Sequence, residues 1–156
     1  MSVTGLRAIV TGAASGIGQA TAARFLSEGA VVAGLDLVTD GMPAGALPFV
    51  CDVSDDGSVR SAVASAAEVM GGIDVVVNNA GIGAAGDVTV NDDDEWHRLL
   101  DVNVVGMARV TRAALSHLRR SQHPAVVNMS SIVATAGLPN RVAYSASKGA
   151  VLAMTR

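Results

Sequence analysis

Five short runs of β-branched and apolar residues recur along the chain: LRAIVT (6–11), AVVAGLD (30–36), PFVCDV (48–53), IDVVVNN (73–79) and PAVVNMS (124–130). A strand with one wet face alternates apolar and polar side chains. Runs without that alternation predict strands covered on both faces, the pattern of a parallel sheet between helices. The Ala-rich stretches between them predict helices over residues 17–28, 55–70, 93–118 and 143–156. Strand and helix alternate, so the predicted fold class is α/β, with a doubly wound parallel sheet. Right-handed crossovers place the first and fourth strands side by side, with a ligand crevice beyond their carboxyl ends. Residues 37–47 (LVTDGMPAGAL) hold one Pro, two Gly and no helical period, and predict a loop.

Composition narrows the reading further. A chain of 156 residues is one domain's worth and excludes a separate substrate domain. Half of it is hydrophobic, which excludes disorder, but two Phe, one Trp and one Tyr leave the core to Val, Ala, Leu and Ile. The net charge of −3 is not gathered into any basic run, so neither nucleic acid nor a membrane surface is an expected partner. The single cysteine, Cys51, can form no internal disulfide and fits a reducing compartment. The amino terminus lacks the pattern of a secretory leader, and no apolar run approaches membrane-spanning length. The expected location is the cytoplasm.

The first run leads into TGAASGIG (11–18) and then an Ala-rich amphipathic stretch starting at Ile17. Gly12 permits a tight turn, Gly16 lets backbone approach a pyrophosphate, and Gly18 lets helix and strand pack closely. The spacing is G-x-x-x-G-x-G, which alone also fits a ligand-free strand-to-helix turn. Asp36 closes the second run, eighteen positions after Gly18. A carboxylate there accepts hydrogen bonds from ribose hydroxyls and repels a 2′-phosphate. Ser15 and Leu37 supply no Arg or Lys for such a phosphate, so NAD is the expected cofactor and NADP the less favoured one. Asp52 either meets the adenine edge or turns the chain into the next helix.

The fourth run ends in Asn78, Asn79, Ala80 and Gly81, small residues against which a nicotinamide ribose can lie, unless they form a simple polar turn. Tyr144 and Lys148 stand four apart and share one helix face. A phenol of ordinary pKa near ~10 is a poor proton donor or acceptor at neutral pH, and a neighbouring ammonium favours its phenolate. Ser131 lies thirteen positions upstream of Tyr144, just past the fifth run, where it can hydrogen-bond a substrate oxygen. Asn103 is an awkward resident of a helix interior and can bind water behind Lys148.

Together, T-G-x-x-x-G-x-G at 11–18, N-N-A-G at 78–81 and Y-x-x-x-K at Tyr144 and Lys148 resemble the short-chain dehydrogenase/reductase family over essentially the whole chain. The resemblance implies a Rossmann sheet and a small-molecule alcohol or ketone substrate. It implies Tyr144 as general acid/base, Lys148 lowering the phenol pKa and holding the nicotinamide ribose, Ser131 orienting the carbonyl or hydroxyl, and Asn103 supporting a relay water. It further implies cofactor contacts from Asp36, Asp52, Val53 and Asn79, and a dimer or tetramer built through the helix over 93–118 and the Tyr144 helix.

The chain departs from the family pattern at its end, stopping at Arg156 inside the Tyr144 helix. The family's sixth and seventh strands are absent, which predicts a bare hydrophobic edge on the fifth strand. The expectation is that residues 1–156 are the nucleotide-binding, N-terminal part of a longer single-domain reductase. A non-catalytic dinucleotide-binding scaffold is the alternative. Three other features are set aside: NDDDE (91–95) reads as a carboxylate-rich first helical turn, not a metal site. His97, His117 and His123 lack partners at ligand spacing and read as surface residues, and Cys51 reads as a small core residue.

Overall fold

A computed structural model describes residues 2–156. Its strands are β1 (Arg7–Thr11), β2 (Val31–Asp36), β3 (Leu47–Val50), β4 (Val75–Asn78) and β5 (Ala125–Asn128). Its helices are α1 (Gly16–Ser27), α2 (Asp56–Met70), α3 (Asp93–Leu100), α4 (Gly106–Leu118) and α5 (Val142–Met154). All strand pairs are parallel and the sheet order is β3-β2-β1-β4-β5, the doubly wound Rossmann-like arrangement. The winding reverses between β1 and β4, which is where such sheets open a crevice.

Successive side chains on a strand face opposite ways, so the central strands feed two cores. Ile9, Ala33, Leu35 and Val76 pack with Val59 and Val63 of α2 and Val110 and Ala114 of α4. Ala8, Val10, Val32, Val75 and Val77 pack on the other face with Ala22, Phe25 and Leu26 of α1. Ile9, Val10, Val32 and Val76 are fully buried, each contributing roughly 1.5–3 kcal/mol relative to exposure. Burial on both faces is why these runs carry no polar alternation.

The two outer strands behave differently. PFVCDV was expected to be a covered strand, but β3 stops at Val50 and its exposure alternates, with Val50 68% exposed. It is an edge, paired only with β2, which also explains how it tolerates Pro48. Cys51, Asp52 and Val53 therefore lie in the loop beyond it. β5 is the other edge, with Val126 37% and Val127 44% exposed, so it is not covered on both faces.

The helix expected over 93–118 is also not uniform. Residues Asp101–Val105 form one turn of wider π-helix, in which Gly106 N–H donates to Asp101 O, so α3 and α4 continue one helical run from Asp93 to Leu118 that widens between them. Such turns occur often at functional sites. At the amino end of the sheet, Arg7 Nε and Nη2 donate to the Asp74 carboxylate at 2.8 and 2.7 Å, and Ser121 Oγ donates to it at 2.6 Å. These bonds, that of Arg7 foremost, hold the Asp74 carboxyl well below the usual carboxylate range. They tie β1, the start of β4 and the end of the α4 region together. Among the described residues, no helix is long and apolar enough to cross a membrane.

Candidate active site

The loop between β1 and α1 follows from its glycines. Gly12 and Gly16 have φ of +67° and +55°, a left-handed conformation that side chains disfavour. Gly18 has ordinary φ, but a Cβ there would run into Gly12 O and Asn79 Nδ2. Ser15 caps α1 with extended backbone and no side-chain hydrogen bond, and the first turn carries no acidic residue. The helix N-terminus thus keeps free N–H donors and its positive end, ready for an anion.

The loop is tied to β4 by Thr11, whose buried hydroxyl accepts from Asn79 N and Ala80 N at 3.0 and 2.9 Å. Asn79 Nδ2 donates back to Thr11 O at 2.9 Å. Asp36, at the end of β2, accepts from Ala14 N through Oδ2 at 2.9 Å and from Leu37 N through Oδ1 at 2.8 Å. Its carboxylate is therefore fixed in place at the lip of the loop.

Beyond the carboxyl ends of β1, β2 and β4 lies a cavity of about 820 Å³. Of the residues singled out in the sequence, Gly12, Ser15, Gly16, Ile17, Asp36, Leu37, Asp52, Val53, Asn79, Ala80 and Gly81 line it. Gly18 sits beneath the loop. Asp52 both turns the chain and faces the cavity: Ser54 N and Oγ donate to its Oδ1 at 2.8 and 2.6 Å. Those bonds hold its carboxyl below the usual range. The wall also contains residues with no signal in sequence: Ile82, His97, Arg98, Asp101 and Val102. His97 is exposed, as expected of a surface residue, and also borders the cavity. Cys51 also lines the wall but is buried, and that burial pushes its thiol up to about 11.

Tyr144, Lys148, Ser131 and Asn103 flank this cavity without lining it. On α5, the Lys148 Nζ lies 5.8 Å from the Tyr144 ring centroid. The lysine is buried, its Nζ donates to Met129 O at 2.7 Å, and burial lowers its pKa. A Cβ added at Gly81 would sit 3.6 Å from Nζ, so Lys148 adjoins the cavity wall at a position without a side chain. Asn103 is fully buried in the π turn. Its Oδ1 accepts from Ile82 N at 2.8 Å, and its Nδ2 donates to Ile82 O at 2.9 Å and Ser147 Oγ at 3.1 Å. Ser147 in turn donates to Tyr144 O at 2.8 Å. Ser131 caps a single 3₁₀ turn, its Oγ accepting from Val133 N at 3.4 Å, which leaves its own hydrogen for another acceptor.

The NDDDE segment caps α3: Asp92 accepts from Glu95 N at 2.9 Å, and Asp93, Asp94 and Glu95 fill the first turn. Thr11 and Ser147 are the structural members that sequence reasoning left without a role. Thr11 had a signal, as the first residue of the glycine motif, whereas Ser147 had only its place between Tyr144 and Lys148.

The chain matches the short chain dehydrogenase family over residues 7–156. It is 33% identical to the 3-oxoacyl-(acyl-carrier-protein) reductase FabG of Thermotoga maritima, across 100% of this chain and 68% of that protein. It is 39% identical to the 2-(R)-hydroxypropyl-CoM dehydrogenase of Xanthobacter autotrophicus, across 96% and 65%. Among solved structures, the ligand-free aldohexose dehydrogenase of Thermoplasma acidophilum superposes with a TM-score of 0.93 at 37% identity, covering 98% of this chain and 60% of that one. The chain thus spans between 60% and 68% of the length of these three proteins.

Proposed function

Because this chain belongs to the short-chain dehydrogenase/reductase family, we propose that residues 1–156 form the nucleotide-binding part of an oxidoreductase moving a hydride between NAD(H) and a secondary alcohol or ketone. The carrying observation is Lys148, a buried cation 5.8 Å from the Tyr144 ring and adjoining the cavity at Gly81. A cation is costly to bury, so a buried lysine beside a phenol at a cleft has the character of a working group more than of a structural one.

The cavity fits a dinucleotide on its own features. Its lining runs from Ser15, Gly16 and Ile17 at the start of α1, past Asp36 and Asp52, to Gly81, and a Cβ at Gly16 would point into open space. The helix start would hold the diphosphate, Asp36 the adenosine ribose hydroxyls, Asp52 and Val53 the adenine edge, and Asn79, Ala80 and Gly81 the second ribose together with Lys148. A nicotinamide bound there supplies or accepts the hydride. In reduction, the Tyr144 hydroxyl gives its proton to the carbonyl oxygen, and in oxidation the phenolate takes it from the alcohol. Lys148 provides positive charge beside that oxygen, Ser131 donates its free hydrogen to the same substrate oxygen, and Asn103 holds the π turn behind them, where a relay water would resupply protons. Asp36, immobilised by two N–H donors, favours NAD over NADP, since its charge opposes a 2′-phosphate.

The test is oxidation of NADH with ketones, 3-oxoacyl thioesters and steroids. Tyr144→Phe is expected to abolish turnover while retaining cofactor affinity; a variant with full turnover overturns the chemistry. Asp36→Ala is expected to narrow the preference for NAD over NADP. The proposed assembly is a dimer or tetramer through α4 and α5, supported by exposed Val105 and Leu115 on the outer face of the α4 region, and light scattering reads it directly. A reducing, cytoplasmic setting suits the free Cys51.

A further inference from the structure

The two ends of the cleft are joined through a side chain that the reaction proposed above does not use. Arg109, near the start of α4 and 16% exposed in its side chain, donates from Nη1 to Val53 O at 3.2 Å and from Nη2 to Asp101 Oδ1 at 2.8 Å. Val53 belongs to the wall assigned to adenine, and Asp101 opens the π turn and lines the same cavity. Gly106 closes the contact: a Cβ there would lie 3.1 Å from Val53 Cβ, so the Val53 loop rests directly on the helix. The far side of the π turn is Asn103, clamped to Ile82 and, through Ser147, to the Tyr144 carbonyl.

We propose that Arg109 is a positioning residue that fastens the adenine wall to the π turn, so that filling the adenine end orders the Tyr144 end of α5. The inference rests on the dinucleotide reading above. A planar guanidinium suits this task because it serves two acceptors on different elements at once, which an ammonium does poorly. The Val53 loop and the π turn have no other side-chain hydrogen bond between them among the described residues. Coupling of this kind is an energy shared between sites, read as a change at one end when the other is filled.

The test is amide hydrogen exchange on this chain with and without ADP, which fills the adenine end and stops at the diphosphate, short of the ribose assigned to Lys148. The readout is residues 143–148 of α5, which do not line the cavity. In the parent, saturating ADP is expected to slow exchange there by roughly five-fold or more, the lower end of usual intersite coupling. In Arg109→Met, which keeps the apolar stem and removes both donors, protection at 52–54 remains and protection at 143–148 is lost. Arg109→Lys is expected to recover part of it. Equal protection of 143–148 in parent and Arg109→Met overturns the inference, as does protection in the parent confined to 52–54. Should Arg109→Met fail to fold, Asp101→Asn weakens the charged leg alone and carries the same expectation. Calorimetry separates the two levels: a parent that does not bind ADP overturns the dinucleotide site itself.

Discussion

The two flanks of the crevice are built on opposite principles. On the β1 and β2 side the working surface is backbone: free N–H groups at the start of α1, left-handed glycines at 12 and 16, and a contact at Gly18 that admits no side chain. On the β4 and β5 side it is side chain: Asn103 reaches Ile82 and Ser147, Lys148 reaches Met129, and Arg141 Nη1 reaches Ala84 O at 2.9 Å. The first flank fails when atoms are added, and the second fails when atoms are removed.

The largest expected effect tests the second flank. Asn103→Ala deletes three hydrogen bonds of a fully buried side chain and leaves the half-buried Ile82 amide and carbonyl without their partner, a cost of about 3 kcal/mol in urea unfolding. An effect below ~1 kcal/mol would mean the π turn is held by packing alone and would erase the contrast. Next comes the first flank, where Gly18→Ala forces a Cβ against Gly12 O and is expected to cost about 2–3 kcal/mol and to abolish dinucleotide binding. Retained binding in that variant would show the loop to be more pliant than its contacts imply.

Two pH effects follow in size. Arg7 depresses the Asp74 carboxyl, so the pair contributes stability above the unfolded carboxylate value of about 4 and that contribution is lost as pH falls below it. Asp74→Asn is therefore expected to be less stable than the parent at pH 7, with the gap closing in acid. Burial lowers the Lys148 pKa, which has the opposite sense: below its folded value the buried ammonium costs stability, and the cost is relieved as pH rises toward the free-lysine value near 10.4. Measured against Lys148→Met, the parent is expected to gain stability on the alkaline side; a flat difference would remove the lysine's buried charge from the account. The smallest effect is a control on the same helix. Gly149 in α5 has open space around its Cβ position, so Gly149→Ala is expected to stabilise by about 0.5–1 kcal/mol, in contrast to Gly18.

How far the molecule could be read from its residues differs by element. β1, β2 and β4 were legible because a strand covered on both faces must be apolar throughout, and the parallel order followed from chirality and short connections. PFVCDV looked the same as the others yet became a half-exposed edge ending at Val50, since only its place outside β2 decides its exposure. The glycine loop was legible because left-handed backbone and close approach are demands that residue type answers locally. The π turn was not, because DVNVV reads as ordinary helix except for one misplaced Asn. What that Asn does depends on Ile82 and Ser147, 21 and 44 positions away.

By itself, then, the order of residues determined the alternating strands and helices, the left-handed turns of the glycine loop and the shared helix face of Tyr144 and Lys148. These are local: each depends on steric freedom, polarity or spacing within a few positions along one chain segment. Tertiary structure alone decided that Lys148 is buried at Gly81, that Asp36 is immobilised by Ala14 and Leu37, and that Arg109 spans Val53 and Asp101. Burial and most hydrogen-bond partners are set by segments brought together from distant parts of the chain, as Arg109 is with Val53 56 positions away. Residue type states only what a side chain can donate or accept, and folding selects which group receives it.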